Sequence, residues 1–271
     1  DGSYVTTADY VSMDITDRAS VAETLLKINP DAVIHCAAWT AVDAAEDEDK
    51  KDTVYAVNAT GTENIAAVCK DLDCKMMYIS TDYVFDGQGT TPWQPDCKDY
   101  KPMNVYGQTK LAGEHLLRWY ADNHGIDSRG IRPTWVWGPN RTNGLTTQYT
   151  TGLVDSIARG GEVHVDNPDE RGDWIYIHDT IKAMLLVWNA EKPAQRFYTV
   201  CGSVHTLREV AELTNRLCPE AKVTYAEHSA NTSPYACSFD DSAIRKELGY
   251  APEWSIEDSV KDYIRVVMGR D

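Results

Sequence analysis

The chain has 271 residues, of which 42% are hydrophobic, so it can bury the core of one large domain or of a domain with a smaller lobe. Asp and Glu outnumber Lys and Arg by 42 to 26, and the net charge of −16 argues against a nucleic-acid partner. The seven cysteines form no C-x-x-C pair, which argues against a disulfide framework or a zinc site and favours a reducing, cytoplasmic compartment. No apolar run approaches the roughly 20 residues that cross a bilayer, so we expect no membrane partner.

The first part of the chain alternates short β-like runs with helix-length amphipathic stretches, a pattern typical of an α/β protein. We predict strands at residues 8–13, 31–38 and 74–80. Asp17 can cap a helix after the first strand, and residues 52–72 have the length and periodicity of a crossover helix. The apolar residues that we expect on the buried faces of these helices are Val21, Leu25, Ile28, Val54, Val57, Ile65 and Val68.

A loop rich in Gly, Pro and Asp covers residues 82–104, and we predict a helix over 106–123 and a strand over 128–138 after it. Beyond this strand the elements are shorter and interleaved with loops, which indicates a second lobe. We therefore divide the chain near residue 140, into a first α/β domain of residues 1–140 and an intertwined second lobe of residues 141–271.

Tyr106 and Lys110 are four residues apart, so on a helix they lie one turn apart on the same face. At about 5 Å and an effective dielectric near 20, an ammonium stabilises a phenolate by roughly 3 kcal/mol, which lowers the pKa of the phenol by about two units. Such a tyrosine can act as a proton donor or acceptor. The strand at residues 74–80 ends in hydroxyl residues, at the edge of a parallel sheet where ligands bind, so Thr81 can hydrogen-bond the oxygen that Tyr106 protonates.

Four motifs occur in one order and spacing: DAVIHCAAWTAVDAAEDE, AVNATGTENIA, YISTDYVFDGQG and NVYGQTKLAGE. In these motifs the chain resembles the dTDP-4-dehydrorhamnose reductases, which are extended short-chain dehydrogenase/reductases. The resemblance covers residues 31–114. It implies reduction of a 4-keto group on a nucleotide-linked sugar with NADP or NAD, and Tyr106 as the proton donor.

The resemblance also implies the site residues. The catalytic residues would be Thr81, Tyr106, Lys110 and Asn58, of which Asn58 steadies the backbone of the active site and a water of its proton relay. The residues implied to bind the cofactor are Asp14, Ile15, Cys36, Ala37, Ala38, Tyr106, Lys110, Arg132 and Pro133. Those implied to bind the nucleotide-sugar substrate are Trp39, Asp82, Tyr83 and Arg171.

The glycine-rich turn that opens a dinucleotide fold does not occur in this sequence. The expected fold is a Rossmann-like doubly wound parallel sheet, with a small C-terminal α/β substrate lobe. The first strand, glycine loop and helix of that fold are absent from this chain, which we interpret as part of a longer protein.

Two other functions stay open. The C-terminal half, from IRPTWVWGPNRTNG to DDSAIRKELGYAPEWSIEDSVKDYI, resembles the NAD-dependent epimerase/dehydratase branch. That half favours a sugar-nucleotide 4-epimerase that uses the same triad. The lack of the glycine turn favours a non-catalytic regulatory subunit with a degenerate cofactor site.

The resemblance also implies pairing into a homodimer. We expect His35 to be a packed histidine rather than a base.

Overall fold

A computed structural model describes residues 8–85, 102, 104–142, 144–229 and 237–269. Its helices are α1 (Arg18–Ile28), α2 (Lys51–Tyr55), α3 (Gly61–Leu72), α4 (Val105–His124), α5 (Thr151–Ala158), α6 (Ile177–Asn189), α7 (Leu207–Leu217), α8 (Ser242–Leu248) and α9 (Ile256–Met268). Its strands are β1 (Ala32–His35), β2 (Lys75–Ile79), β3 (Ser128–Pro133), β4 (Trp135–Trp137), β5 (Glu162–Val165), β6 (Arg171–Tyr176), β7 (Phe197–Val200), β8 (Ser203–Thr206) and β9 (Lys222–Tyr225). Within those ranges, none of the helices is both long and apolar enough to span a membrane. The predicted loop of residues 82–104 lies largely outside the described residues.

A parallel sheet in the order β1-β2-β3-β7 forms the first layer of the structure. It confirms the α/β class and the strands that we predicted at residues 31–38 and 74–80.

The strand predicted at residues 8–13 is wrong, because these residues have no regular structure. Tyr10 and Val11 are exposed, and no strand in the described part of the chain pairs with them. An alternating apolar pattern alone does not make a strand without a neighbour to share its hydrogen bonds.

The first helices follow the sequence pattern closely. The Asp17 carboxylate accepts a hydrogen bond of 2.9 Å from the Ala19 amide and caps α1, as we predicted. The predicted crossover helix is one continuous element, in which a π-helical turn (Ala56–Thr60) joins α2 to α3. The apolar residues that we expected on the buried helix faces are buried, with two exceptions. Ile28 is exposed at the last turn of α1, and Val57 is half-buried in the π-helical turn.

Side chains of β2 alternate between two apolar layers. Met76 and Tyr78 pack with α1, α3 and α4 on one face of the sheet. Met77 packs on the other face, with Val187 of α6 and Ile244 of α8. Both faces of the parallel sheet are therefore covered, as a doubly wound fold requires.

The second half of the chain builds a separate core around two small sheets. The predicted strand of residues 128–138 breaks at Thr134 into β3, which belongs to the large sheet, and β4, which pairs with β6. The β4-β6-β8 and β5-β9 sheets enclose a core of tryptophans and aliphatic residues that includes Trp137 and Trp174. Further along the chain, β7 returns to pair with β3 in the large sheet. A division of the chain near residue 140 therefore remains a proposal. It would not separate the two parts completely, because β7 comes from the second part and pairs in the large sheet.

A buried ion pair joins α4 to the large sheet. The carboxylate of Glu114, on α4, accepts hydrogen bonds of 2.7 and 2.6 Å from the Arg132 guanidinium and one of 2.6 Å from the Ser80 hydroxyl. Both charged side chains are almost fully buried. Burial alone would raise the pKa of Glu114, but Arg132, together with the Ser80 hydroxyl and the charge of Arg118, holds that pKa below its ordinary value.

We predict that Glu114→Gln lowers the free energy of unfolding by about 3–5 kcal/mol, because it leaves the Arg132 charge buried without its partner. The exposed Glu23, on α1, provides the matched control, and Glu23→Gln is expected to change the free energy by less than about 0.5 kcal/mol. Urea unfolding followed by circular dichroism measures both variants. Equal stability of the two variants would contradict the structural role of the pair.

Candidate active site

A cavity of about 240 Å³ opens where β2 ends and α4 begins. Its walls also include the residues that connect β3 to β4 and the loop that follows β4. The lining residues are Thr40, Val42, Ile79, Ser80, Thr81, Asp82, Tyr83, Tyr106, Pro133, Thr134, Trp135, Val136, Arg141, Gly144 and Thr146. The cavity thus brings together five of the residues that we predicted for the site: Thr81, Asp82, Tyr83, Tyr106 and Pro133.

The end of β2 presents a hydroxyl and a carboxyl side by side. Thr81 caps a short 3-10 turn (Asp82–Val84), and its hydroxyl accepts a hydrogen bond of 3.2 Å from the Tyr83 amide. The same hydroxyl donates a hydrogen bond of 3.0 Å to the Asp82 carboxylate. Both side chains are buried. The local turn therefore fixes the direction in which Thr81 points.

The first turn of α4 places Tyr106 against this 3-10 turn. The Asn104 side chain caps α4 by accepting a hydrogen bond of 2.7 Å from the Gly107 amide. A Cβ atom at Gly107 would lie 2.3 Å from the Tyr83 carbonyl oxygen, so only glycine allows the two turns to approach so closely. The Tyr106 ring meets the Tyr83 ring edge to face, with 5.8 Å between centroids, and Tyr106 lines the cavity together with Thr81.

The lysine has a different environment from the one that we expected. Burial raises the pKa of Tyr106 to about 12, and the negative charge of Asp82 adds to this effect. The charge that acts to lower this pKa is that of Arg141, whereas Lys110 lies with its ammonium 4.1 Å from the centroid of the Tyr78 ring. Our expectation that Lys110 lowers the pKa of Tyr106 by about two units is therefore wrong for this structure. Burial also lowers the pKa of Lys110 itself, to about 7.

Asn58 connects the two backbone segments that flank the site. Its side-chain oxygen accepts a hydrogen bond of 2.7 Å from the Trp39 amide, and its amide group donates one of 2.9 Å to the Thr109 hydroxyl. Thr109 in turn donates a hydrogen bond of 2.8 Å to the Tyr106 carbonyl oxygen. Asn58 lies in the π-helical turn, and this irregular backbone points its side chain between the two segments. The proton-relay water that the resemblance implies for Asn58 stays a prediction.

Arg141 is the main functional candidate that the sequence analysis missed. Its half-buried guanidinium lies in the cavity wall, where it donates hydrogen bonds to Thr146 at 2.8 Å, to Thr147 at 3.2 Å and to the Val136 carbonyl oxygen. No other arginine, lysine or histidine is among the described lining residues. The signal available in the sequence was a cation directly after the Gly-Pro-Asn turn that ends β4. Trp135, also missed, is a buried residue of the same lining.

The remaining residues implied to bind the cofactor lie in two segments, one directly after β1 and one shortly before α1. Cys36 and Ala37 are exposed directly after β1, and Lys110 and Cys36 interact electrostatically. An exposed strand end beside a buried amine fits a bound nicotinamide nucleotide. Ala38 and Ile15 are half-buried, and the exposed Asp14 carboxylate accepts hydrogen bonds from Thr16. These positions as cofactor contacts remain predictions.

Two predicted contacts, Arg132 and Arg171, lie outside the cavity wall and stay predictions. The Arg132 side chain is in the core with Glu114. Arg171 is exposed at the start of β6 and is not part of the cavity wall. His35 is a packed residue, as we expected: its Nε2 lies 3.0 Å from the Thr62 hydroxyl, and burial lowers its pKa to about 3.

Comparison with known sequences identifies the family. The family described as "RmlD substrate binding domain" matches residues 1–212. The dTDP-4-dehydrorhamnose reductase of Escherichia coli K12 is 40% identical over 233 residues, which are 85% of this chain and 74% of that protein. The enzyme of the same name from Shigella flexneri is 32% identical over 233 residues, with the same coverage of both chains.

Solved structures agree with this assignment. A dTDP-4-dehydrorhamnose reductase from Bacillus anthracis str. Ames, in complex with NADP, superposes with a TM-score of 0.73 at 25% identity, over 93% of this chain and 86% of that one. The GalE-like L-threonine dehydrogenase of Cupriavidus necator, in its holo form, shares the fold with a TM-score of 0.85 at 22% identity, over 97% and 89% of the two chains. The chain therefore has the Rossmann-like fold of the extended short-chain dehydrogenase/reductases and belongs to the RmlD substrate-binding-domain family.

Proposed function

We propose that this protein reduces the 4-keto group of a nucleotide-linked sugar with NADPH, and that its substrate is dTDP-4-dehydrorhamnose or a close analogue. The observation that carries the proposal is the cavity at the carboxyl end of β2, whose wall contains both Thr81 and Tyr106. Hydroxyl donors that converge on one point are what a carbonyl oxygen needs as negative charge develops on it. The names of the relatives and the NADP in the Bacillus anthracis structure support the choice of substrate and cofactor.

The protonation state of Tyr106 supports its role as the proton donor. With a pKa near 12, the phenol holds its proton at neutral pH and releases it only to a stronger base. An alkoxide, formed when a carbonyl carbon accepts hydride, is such a base. When bound, the reduced nicotinamide supplies that hydride. Thr81 can donate a second hydrogen bond to the same oxygen.

The rest of the cavity suits a sugar nucleotide. Trp135 and Tyr83 offer aromatic surface for a sugar ring, and the Asp82 carboxyl can hydrogen-bond its hydroxyl groups. The Arg141 guanidinium provides positive charge near an anionic substrate in a chain that is otherwise strongly acidic. The homodimer and the cytoplasmic location implied by the resemblance stay predictions.

The proposal is tested by mixing the protein with NADPH and dTDP-4-dehydrorhamnose. We expect loss of the NADPH absorbance and the appearance of a reduced sugar nucleotide by NMR. An epimerase would interconvert sugar nucleotides at C4 without net consumption of NADPH. A regulatory subunit would give neither signal, and either outcome would overturn the reductase proposal.

We predict that Tyr106→Phe lowers kcat for NADPH oxidation by at least about 10²-fold, because the reacting oxygen loses its proton donor. Thermal unfolding should change little, since the ring and its contact with Tyr83 remain. The matched control is Tyr55→Phe, which removes the hydroxyl of an exposed tyrosine on α2 that is not part of the cavity wall. If Tyr106→Phe kept the kcat of the Tyr55→Phe control, Tyr106 would not be the donor.

We predict that the affinity for NADPH falls as the pH rises from 6 to 8.5. The ammonium form of Lys110, which attracts the anionic dinucleotide, is present below its pKa of about 7 and is lost above it. Nicotinamide fluorescence measures Kd at each pH. Lys110→Met should weaken binding at pH 6 and remove most of the pH dependence, whereas Lys70→Met, at the surface of α3, should do neither. A pH dependence that survives in Lys110→Met would exclude Lys110 as its source.

A further inference from the structure

The ammonium of Lys110 lies over the aromatic ring of Tyr78. We propose that Tyr78 is a positioning residue for cofactor binding: its ring holds the Lys110 side chain in place and favours the charged form, which attracts the anionic dinucleotide. This inference rests on the proposed function, because it takes Lys110 as the cation that binds NADPH.

The ring is the partner that the structure gives this amine. The Lys110 nitrogen lies 4.1 Å from the centroid of the Tyr78 ring, well inside the roughly 6 Å over which a π face attracts a cation. Both side chains are almost fully buried. Among the residues that the structure describes, none accepts a hydrogen bond from this ammonium. The ring therefore offsets part of the cost of burying the charge, while the N–H donors stay available to a ligand.

The Tyr78 ring is itself held by three elements. Its centroid lies 5.6 Å from that of the His35 ring on β1 and 6.5 Å from that of the Phe197 ring on β7, which it meets edge to face. A Cβ atom at Gly113, on α4, would lie 2.4 Å from the Tyr78 hydroxyl oxygen, so glycine is what lets the helix lie so close to the phenol. The same hydroxyl donates a hydrogen bond of 3.4 Å to the Lys110 carbonyl oxygen. The ring cannot turn away from the amine without disturbing these contacts.

The other charged and titratable groups around the amine are Glu114 on α4, Cys36 after β1 and His35 on β1. Burial lowers the pKa of Lys110 to about 7, and the Glu114 charge opposes this effect. Burial also lowers the pKa of His35 to about 3, so the His35 ring carries no charge at neutral pH. A π face favours an ammonium over a neutral amine, so the Tyr78 ring acts on Lys110 in the same direction as Glu114.

The first test measures the pKa of Lys110 in the cofactor-free protein, by ¹³C NMR of labelled lysine, with Lys110→Met to identify the signal. We expect Tyr78→Leu to lower this pKa by at least about one unit, because the π face is lost. Tyr78→Phe keeps the ring and should keep the pKa. The matched control is Tyr120→Leu, which removes a buried ring of the same core that contacts Trp119 and His124, and it should also leave the pKa unchanged.

The second test measures Kd for NADPH by nicotinamide fluorescence between pH 5 and 8.5. In Tyr78→Leu the loss of affinity should occur at a pH at least about one unit lower than in the wild type, and binding at pH 7 should be at least about fivefold weaker. Tyr78→Phe and Tyr120→Leu should follow the wild type. Because the effect acts through the amine, adding Tyr78→Leu to Lys110→Met should weaken binding no further.

Tyr78 is a core residue, so circular dichroism checks that Tyr78→Leu folds. A second series does not depend on that variant: phenylalanines with increasing fluorination at position 78 keep the shape of the ring and progressively weaken its π face. We expect the pKa of Lys110 to fall stepwise along this series.

Three outcomes would overturn the inference. The first is a pKa of Lys110 in Tyr78→Leu that equals or exceeds the wild-type value, and the second is a pKa that ignores fluorination. The third is a loss of NADPH affinity from Tyr78→Leu that persists in the Lys110→Met background, which would make Tyr78 a purely structural residue. Failure of the proposed function is distinct from these, because the wild type would then fail to bind NADPH or to reduce the sugar nucleotide, whereas the NMR titration uses no cofactor.

Discussion

The buried carboxylate of Glu114 is the constraint on which the site depends. It lies one helical turn after Lys110 and two turns after Tyr106, and it hydrogen-bonds Ser80 at the end of β2 and Arg132 at the end of β3. A single charged group thereby fixes the position of α4 along two neighbouring strands. These bonds hold α4, which carries Tyr106, against the strand end that carries Thr81.

Burial has opposite effects on the acids and the base around this junction. It raises the pKa of Asp82 and Tyr106, which favours their neutral, protonated forms. It lowers the pKa of Lys110, which favours the neutral amine. Burial therefore disfavours the charged form of each of these three groups.

The sequence predicted those parts of the site that depend on local periodicity. Thr81 follows a buried strand and Tyr106 begins an amphipathic helix, and both patterns are short-range, so their meeting at a sheet edge could be foreseen. The contact of Lys110 with Tyr78 could not, because it depends on how far α4 turns against β2. Arg141 was missed for a similar reason: only the fold of the second lobe brings its loop back to the cavity. The false strand at residues 8–13 shows that alternation predicts a strand only where a neighbouring strand completes the pairing.

The two basic side chains of the site, Lys110 and Arg141, have different surroundings. Lys110 interacts with Cys36 at the open end of β1, where the dinucleotide is expected, and Arg141 lies inside the cavity, where the sugar nucleotide is expected. Tyr106 lines this cavity, whereas the Lys110 ammonium lies over the Tyr78 ring. In this arrangement Arg141 is the cation that can stabilise a phenolate at Tyr106, and Lys110 is free to contact the cofactor. Proton transfer and cofactor binding therefore rest on separate residues, so a mutation of one cation should leave the other function largely intact.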